Sequence, residues 1–446
     1  MKVEMPKAAG YIIETLMKHG YEAYIVGGCV RDSILGKQPQ DWDITTSATP
    51  EQTKALFRRT IDTGIEHGTV TVMIDKVGYE VTTYRVDGKY EDHRRPKEVT
   101  FTASLLEDLK RRDFTINAMA YNEIDGLVDE FDGIGDLQKG IIRCVGVPQE
   151  RFDEDALRIL RAVRFAAQLN FEIEEETQDA IREKAEFLGD ISAERIQVEL
   201  TKLITSKHPE KLIDAYELGI TRIVLPEFDA MMETPQNNIH HCYSVGRHTI
   251  EVMKHIEPVP VLRWAALLHD VAKPMCRTTD EKGRDHFYHH PKEGAPIAHQ
   301  VLRRLKLDNE TIHTVERLVE WHDYGLEGNI SKKTLRKALY RMGPDLFDNY
   351  RKLRWADMMG HSEYNRENNV KAYKRLIQMQ KEIIDAEECL SIKDLKMDGK
   401  KLMELGVKPG PIMGEILNAL LQQVLEQPEL NTEERLSELV SEYQNR

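Results

Sequence analysis

Residues 24–46 read YIVGGCVRDSILGKQPQDWDITT, and the choice of fold turns on this stretch. Tyr24, Ile25 and Val26 make a short apolar run that suits a buried strand. Gly27 and Gly28 follow at once; without a Cβ they let the backbone turn sharply and come close to a ligand. Helical spacing from Cys29 to Leu35 puts these glycines at a helix N-terminus, where exposed N–H groups favour an anion such as a triphosphate. Asp41-Trp42-Asp43 then runs into Ile44 and two threonines. On a strand, residues i and i+2 share a face, so Asp41 and Asp43 are expected to project together. Two parallel carboxylates repel unless a cation lies between them, and carboxylates beside substrate phosphates suit Mg²⁺. Taken alone, the D-x-D equally suits a solvated strand end.

The combination is more specific than either half. G-G-x-x-R-D followed by D-x-D inside one strand–helix–strand unit resembles the nucleotidyltransferase superfamily of the DNA polymerase β type. More narrowly, it is similar to the tRNA nucleotidyltransferase and poly(A) polymerase class. In that class Asp41 and Asp43 would hold Mg²⁺, while Gly27, Gly28 and Arg31 would hold the triphosphate.

Composition sets the outer bounds. At 446 residues, 41% hydrophobic and 31% charged, the chain matches a globular protein of two to four domains. No apolar run approaches the ~20 residues that span a bilayer, and the N-terminus lacks the apolar core of a signal peptide. Five scattered cysteines with no C-x-x-C pair read as reduced thiols, which points to the cytoplasm. A net charge of −14 by itself argues against nucleic-acid binding, which leans on Lys/Arg contacts to phosphate. The charge is uneven, however: Arg94-Arg95-Pro96-Lys97, Lys110-Arg111-Arg112, and Arg158, Arg161 and Arg164 on one side of a later helix allow a local basic groove.

Downstream, residues 68–74 and 79–84 alternate as two strands joined by a turn. Glu80 lies on the second; it reads either as a solvent-facing glutamate or, as the resemblance implies, as a third acid beside Asp41 and Asp43. Residues 85–104 are poor in apolar side chains and read as a charged loop, which in this class accompanies addition of the terminal adenosine. The run DLKRRDFTINAMA, residues 108–120, matches the class strongly. Arg112 supplies fork-shaped donors for phosphate, and Asp113 and Asn117 are expected to bond ribose hydroxyls.

From about residue 149 the pattern turns helical. RFDEDALRILRAVRFAAQLNF, residues 151–171, reads as one amphipathic helix with Asp155, Arg158, Arg161 and Arg164 off its apolar face. Acid and arginine three or four apart are ordinary surface pairs on a helix. In the class, E-D-x-x-R selects the base. An acceptor-only Asp155 beside a donor-only Arg158 matches the Watson–Crick edges of C and A and mismatches U and G, whose donor and acceptor are reversed. Glu194 and Arg195, in a capped helix start, are expected to support that site.

Eleven of the sixteen histidines fall within residues 240–322. His248, the doublet His269-Asp270 at the end of an apolar helix, Lys273, His290, His322 and Asp357 follow in an order that resembles the HD phosphohydrolase superfamily. The resemblance implies His248, His269, Asp270 and Asp357 as ligands of a divalent metal, with His290 and His322 available for a second ion or for phosphate. Two readings stay open: a working phosphohydrolase, or a helical body that carries tRNA.

The expected architecture is α+β. A small mixed-sheet polymerase-β-like nucleotidyltransferase head (1–147) precedes an all-α neck (148–225), an HD-type helical body (226–365) and a helical, tRNA-contacting tail (366–446). The expected activity is template-independent addition of C, C and A to tRNA from CTP and ATP, without a membrane partner. The alternatives are an A-only-adding enzyme, a poly(A) polymerase, or an HD hydrolase as the main activity.

Overall fold

The computed structural model describes residues 3–88, 90–91, 95–96, 99–237, 243–324, 330–364 and 366–444. Within them the chain separates into two compact units. One is Met1–Asp229 with Arg304–Leu307; the other is Ala230–Arg303 with Asp308–Arg446.

The first unit is built on a seven-stranded mixed sheet. Its strands are β1 (Ala23–Val26), β2 (Ile44–Thr46), β3 (Thr60–Gly64), β4 (Thr69–Ile74), β5 (Val77–Thr83), β6 (Ala120–Asn122) and β7 (Gly126–Val128). They lie in the order β7-β6-β1-β2-β5-β4-β3. The expected strand–helix–strand unit is present: β1, the helix Gly28–Ile34 and β2, with β1 and β2 antiparallel and Ile25 opposite Ile44. β1 is buried at all four positions, as its apolar run dictates. Tyr24 and Val26 pack with Tyr84, Leu109 and Ala120 in a common apolar cluster. The helix Pro50–Leu56 begins where the polar–proline signal places a start. Thr49 and Gln52 form a reciprocal capping box, with Pro50 in the first turn.

Three features differ from the sequence reading. Asp41 and Asp43 lie in the extended lead-in to β2 rather than within it, although the Asp43 carbonyl still accepts from the Val26 N–H at 3.0 Å. Residues 85–104 are not all loop: Arg85–Asp87 pairs antiparallel with Val99–Phe101, closing the base of the segment. Arg94 and Lys97 fall outside the described residues. Residues 151–171 are two helices, Pro148–Glu154 and Leu157–Leu169, separated at Asp155, whose backbone is extended. The break follows from the side chain, because the Asp155 carboxylate caps the Leu157 N–H at 3.1 Å and starts the second helix.

The second unit is helical, apart from a two-stranded ladder of Arg277–Thr279 with Asp285–Phe287. Its helix starts are capped as their sequences demand, at Ser244, Asp308 and Ser331. Residues 411–444 form two helices, Pro411–Glu426 and Glu433–Gln444, over an apolar cluster of their own that includes Leu420, Leu421, Val424 and Leu436. No helix among the described residues is long and apolar enough to cross a membrane.

Candidate functional site

In the first unit, the parallel pairing of β2 with β5 sets Ile44 opposite Val81. Glu80 therefore precedes Val81 by one residue, as Asp43 precedes Ile44, and the two residues stand level across neighbouring chain segments. Asp41, Asp43 and Glu80 are all exposed. Surrounding protein pushes the Asp43 carboxyl above the usual range; Arg112 pulls it back, and Glu80 and Asp41 push it further up. The three acids are thus within electrostatic reach of one another and open to solvent. A like-charged group that resists ionisation is a fitting seat for a divalent cation.

Gly27 carries a backbone that L side chains rarely adopt, with φ at 79°. A Cβ there would lie 3.0 Å from an Arg112 guanidinium nitrogen. The glycine lets Arg112 reach the start of the helix, next to the acids.

Next to these acids lies a lattice of paired charges. Arg31 Nη1 donates to Asn117 Oδ1 at 2.7 Å, and Asn117 Nδ2 donates to Asp113 Oδ1 at 3.1 Å. Asp113 Oδ2 accepts from Arg161 Nε and Nη2 at 2.8 and 2.6 Å. Burial disfavours the Asp113 anion, but Arg161 and Asn117 outweigh it and hold the carboxyl far below its usual range. Asp113 and Asn117, expected to bond ribose, have these side-chain groups committed to Arg31, Arg161 and each other. Arg31, Arg161 and Arg164 surround one ring, with guanidinium carbons 5.0, 5.3 and 3.7 Å from the Phe165 centroid. Arg164 Nε is also held at 2.6 Å by the buried Glu199.

Asp155 and Arg158 are each fixed by a different residue. Asp155 Oδ2 accepts from Arg195 Nη2 at 2.7 Å. Arg158 donates to Glu154 at 2.5 Å, to the Arg151 carbonyl at 3.1 Å and to the Arg111 carbonyl at 2.8 Å. Phe165, Glu199 and Asp108 had no place among the sequence candidates. Asp108 is fully buried and accepts from Arg111 Nη2 at 2.6 Å and Thr45 Oγ1 at 3.1 Å, with Arg112 Nη2 at 3.5 Å. It anchors the arginine pair, and the signal was its place one helical turn before them.

In the second unit the histidines converge. His248 lies on the helix Val245–Lys254, His269 and Asp270 end Pro260–Leu268, His290 starts His290–Arg304, His322 ends Asn309–Trp321, and Asp357 lies on Pro344–Gly360. Four ring Nδ1 atoms meet backbone carbonyls: His248 at Gly360 (3.2 Å), His269 at Ala266 (2.7 Å), His290 at Phe287 (2.8 Å) and His322 at Val319 (2.7 Å). A carbonyl oxygen only accepts, so each Nδ1 carries its hydrogen and each Nε2 is left to face the interior of the cluster. The Nε2 atoms point at two carboxylates. Asp357 Oδ1 lies 3.1 Å from His248 and 3.9 Å from His269. Asp270 Oδ2 lies 3.1 Å from His269, and its Oδ1 lies 3.2 Å from His290 and 3.6 Å from His322.

Burial alone would raise the Asp270 carboxyl, but His269 and Lys273, the latter 2.7 Å away, hold it well below its usual range. His269 Nε2 and Asp270 Oδ1 are buried and make no hydrogen bond among the described residues, while Asp270 Oδ2 is paired with Lys273. Orphaned donor atoms facing one point fit a bound metal ion. Asp270, His290, His322 and Asp357 line a cavity of about 850 Å³ together with Lys273, Arg284, His286, Tyr288 and Arg354.

Comparison with known proteins follows the same division. Residues 23–143 match the family described as "Poly A polymerase head domain", residues 170–232 "Probable RNA and SrmB-binding site of polymerase A", and residues 292–440 "tRNA nucleotidyltransferase domain 2 putative". The CCA-adding enzyme of Levilactobacillus brevis is 39% identical over 415 residues, covering 93% of this chain and 92% of that protein. That of Streptococcus thermophilus is 35% identical over 430 residues, covering 96% and 95%. The crystal structure of the Bacillus stearothermophilus CCA-adding enzyme in complex with CTP superposes with a TM-score of 0.73 at 30% identity, covering 100% of this chain and 98% of that one.

Proposed function

The chain belongs to the CCA-adding enzymes, and from that premise we propose that it builds the C-C-A end of tRNA from CTP and ATP, one nucleotide at a time and without a nucleic-acid template. The observation that carries this reading is the acid cluster Asp41/Asp43/Glu80 standing beside Arg112 and the Gly27 turn. At each step the tRNA 3′ hydroxyl gives up its proton to solvent as its oxygen forms a bond to the α-phosphorus of the incoming nucleotide. The bond from that phosphorus to the bridging oxygen breaks, and pyrophosphate leaves. Asp41 and Asp43, with Glu80, would hold Mg²⁺, which supplies Lewis acidity at the attacking and leaving oxygens.

The protein's own groups do the rest. Gly27 and Gly28 let the triphosphate approach the backbone, and Arg31 and Arg112 supply positive charge beside it. Asn117 holds Arg31, Asp108 holds Arg112, and Asp113 ties Asn117 to Arg161, beside which Arg164 is held by Glu199. Asp155, steadied by Arg195, offers the acceptor and Arg158, steadied by Glu154, the donor that C and A match. A site built on such bonds rejects U and G because buried polar groups would go unpaired. In this reading residues 1–147 are the head, 148–225 the neck, 226–365 the HD body and 366–446 the tRNA-contacting tail. The protein works in the cytoplasm, where its substrate is.

The body supports a second activity. His248, His269, Asp270 and Asp357 would hold one divalent metal and Asp270, His290 and His322 a second, under a cavity whose Lys273 and Arg354 suit a phosphate ester. The favouring observation is the set of Nε2 atoms turned inward by their carbonyl-bound Nδ1 atoms.

The test uses tRNA transcripts ending before CC, after CC and after CCA, each with single nucleoside triphosphates. Addition that stops at CCA is expected. Long A-tails, or no incorporation of C, would overturn the reading.

A further inference from the structure

We propose that His361 is an additional protein ligand of the metal held by His248, His269, Asp270 and Asp357, and that this three-imidazole, two-carboxylate set takes a first-row transition ion in preference to Mg²⁺. The inference rests on the metal reading of the body given above and adds to it a ligand and a choice of ion.

His361 caps the C-terminus of the helix Pro344–Gly360, one turn beyond Asp357, so the two side chains share a helix face. Its Nε2 lies 3.2 Å from Asp357 Oδ1, the oxygen that also lies 3.1 Å from His248 Nε2. The His361 and His248 rings are stacked, 5.1 Å apart and 29° from parallel, so two imidazole nitrogens meet one carboxylate oxygen from the same side. The three donor atoms lie within 4.8 Å of one another, as do those of His248, His269 and Asp270. Ligands bound at ~2.1 Å around one ion sit about 3–3.4 Å apart. The contacts of 3.1 Å (His248–Asp357), 3.2 Å (His361–Asp357) and 3.1 Å (His269–Asp270) therefore match neighbours on a single ion.

The helix end is pressed into this position. A Cβ at Gly360 would stand 3.0 Å from Val252 Cγ2 and 3.2 Å from His248 Cε1, so a glycine there allows the helix to close on the His248 ring. His361 also lines the cavity, together with Asp270 and Asp357. Imidazole ligands suit Mn²⁺, Fe²⁺, Co²⁺ and Zn²⁺, whereas all-oxygen sets suit Mg²⁺. The head, with carboxylates alone, and the body, with three imidazoles, would then draw on different ions.

The test is titration of the full-length protein with Co²⁺ in excess Mg²⁺, followed by visible absorption and by metal content after gel filtration. A His313→Ala parent removes background from the surface cluster His299/His313/Glu316. Tight Co²⁺ binding by the parent is expected. H361A should weaken it at least about tenfold, a loss usual for residues that support a metal site, and shift the absorption band, and D270N should abolish it. If H361A fails to fold by circular dichroism, H361Q, which keeps the bulk, carries the comparison. Unchanged affinity and spectrum in H361A or H361Q would overturn the role of His361 and leave the metal reading of the body intact. A parent that binds no Co²⁺ would overturn that reading and this inference with it. Displacement of Co²⁺ by Mg²⁺ at comparable concentration would overturn the preference for a transition ion.

Discussion

Arg195 reaches 2.7 Å to Asp155 from a helix forty residues further along the chain, and so fixes the carboxylate that breaks one helix and starts the next. One Asp155 oxygen caps Leu157 while the other meets Arg195, so the direction in which the acceptor faces depends on both contacts. Replacing Arg195 by Ala should let the carboxylate rotate. Removing a charged hydrogen bond of this kind costs about 1.5–3 kcal/mol, a factor of roughly 10–150. The expected outcome is a fall in selectivity for CTP and ATP over UTP and GTP of at least about tenfold. Single-turnover incorporation with each of the four nucleotides measures it, and R195K should recover part of the loss.

Glu199 and Arg164 make a different kind of pair. Both are buried, at 5% and 7% exposure, and their atoms meet at 2.6 Å. Removing one partner strands the other charge away from water. E199A should therefore destabilise the first unit by about 3–5 kcal/mol, and E199Q, which keeps a hydrogen-bond acceptor, by less. Urea titration followed by hydrogen exchange of the helix Leu157–Leu169 measures the difference.

Much of this site is legible in the sequence because its chemistry is local. The apolar run, the glycine pair and D-x-D are consecutive, and the His-Asp doublet names itself. What the sequence hides is long-range pairing. Arg161 looks like a helix-surface partner for an acid three or four residues away, yet its carboxylate is Asp113, 48 residues earlier. Phe165 fits the apolar stripe of its helix, and only the fold sets three guanidinium groups around its ring. The helix break at Asp155 is hidden by an unbroken apolar period. His361 was findable: D-x-x-x-H on a helix puts both side chains on one face.

Asp113 gives a pH signature. Its folded carboxyl titrates well below the ordinary value of about 3.9, because Arg161 and Asn117 favour the anion more than burial opposes it. A depressed folded pKa contributes stability that is fully present above the unfolded pKa and is lost as pH falls through the folded one. Wild type and D113N should therefore differ most at neutral pH, with D113N the weaker by about 1.5–3 kcal/mol, since the partly exposed Arg161 loses a charged partner but keeps an acceptor. The gap should narrow as pH drops below about 4. Thermal melts of both proteins across that range test the sign; a gap that widens toward acid would contradict it.

The two acid clusters should also separate by mutation. Asp43 is exposed, with Asp41 and Glu80 within electrostatic reach. D43N should remove several kcal/mol of charge stabilisation at the reacting phosphate, on the order of 10³-fold in the rate of C and A addition at 1.36 kcal/mol per decade, while metal bound by the body stays unchanged. D270N should do the reverse. Asp270 sits between His269, His290 and Lys273, so its loss should abolish the metal binding proposed for the body while C and A addition continues at the wild-type rate. Incorporation assays paired with metal analysis of the same preparations read both effects. A D43N protein that still completes CCA at full rate would remove Asp43 from the chemistry and with it the role assigned to the acids Asp41 and Glu80 beside it.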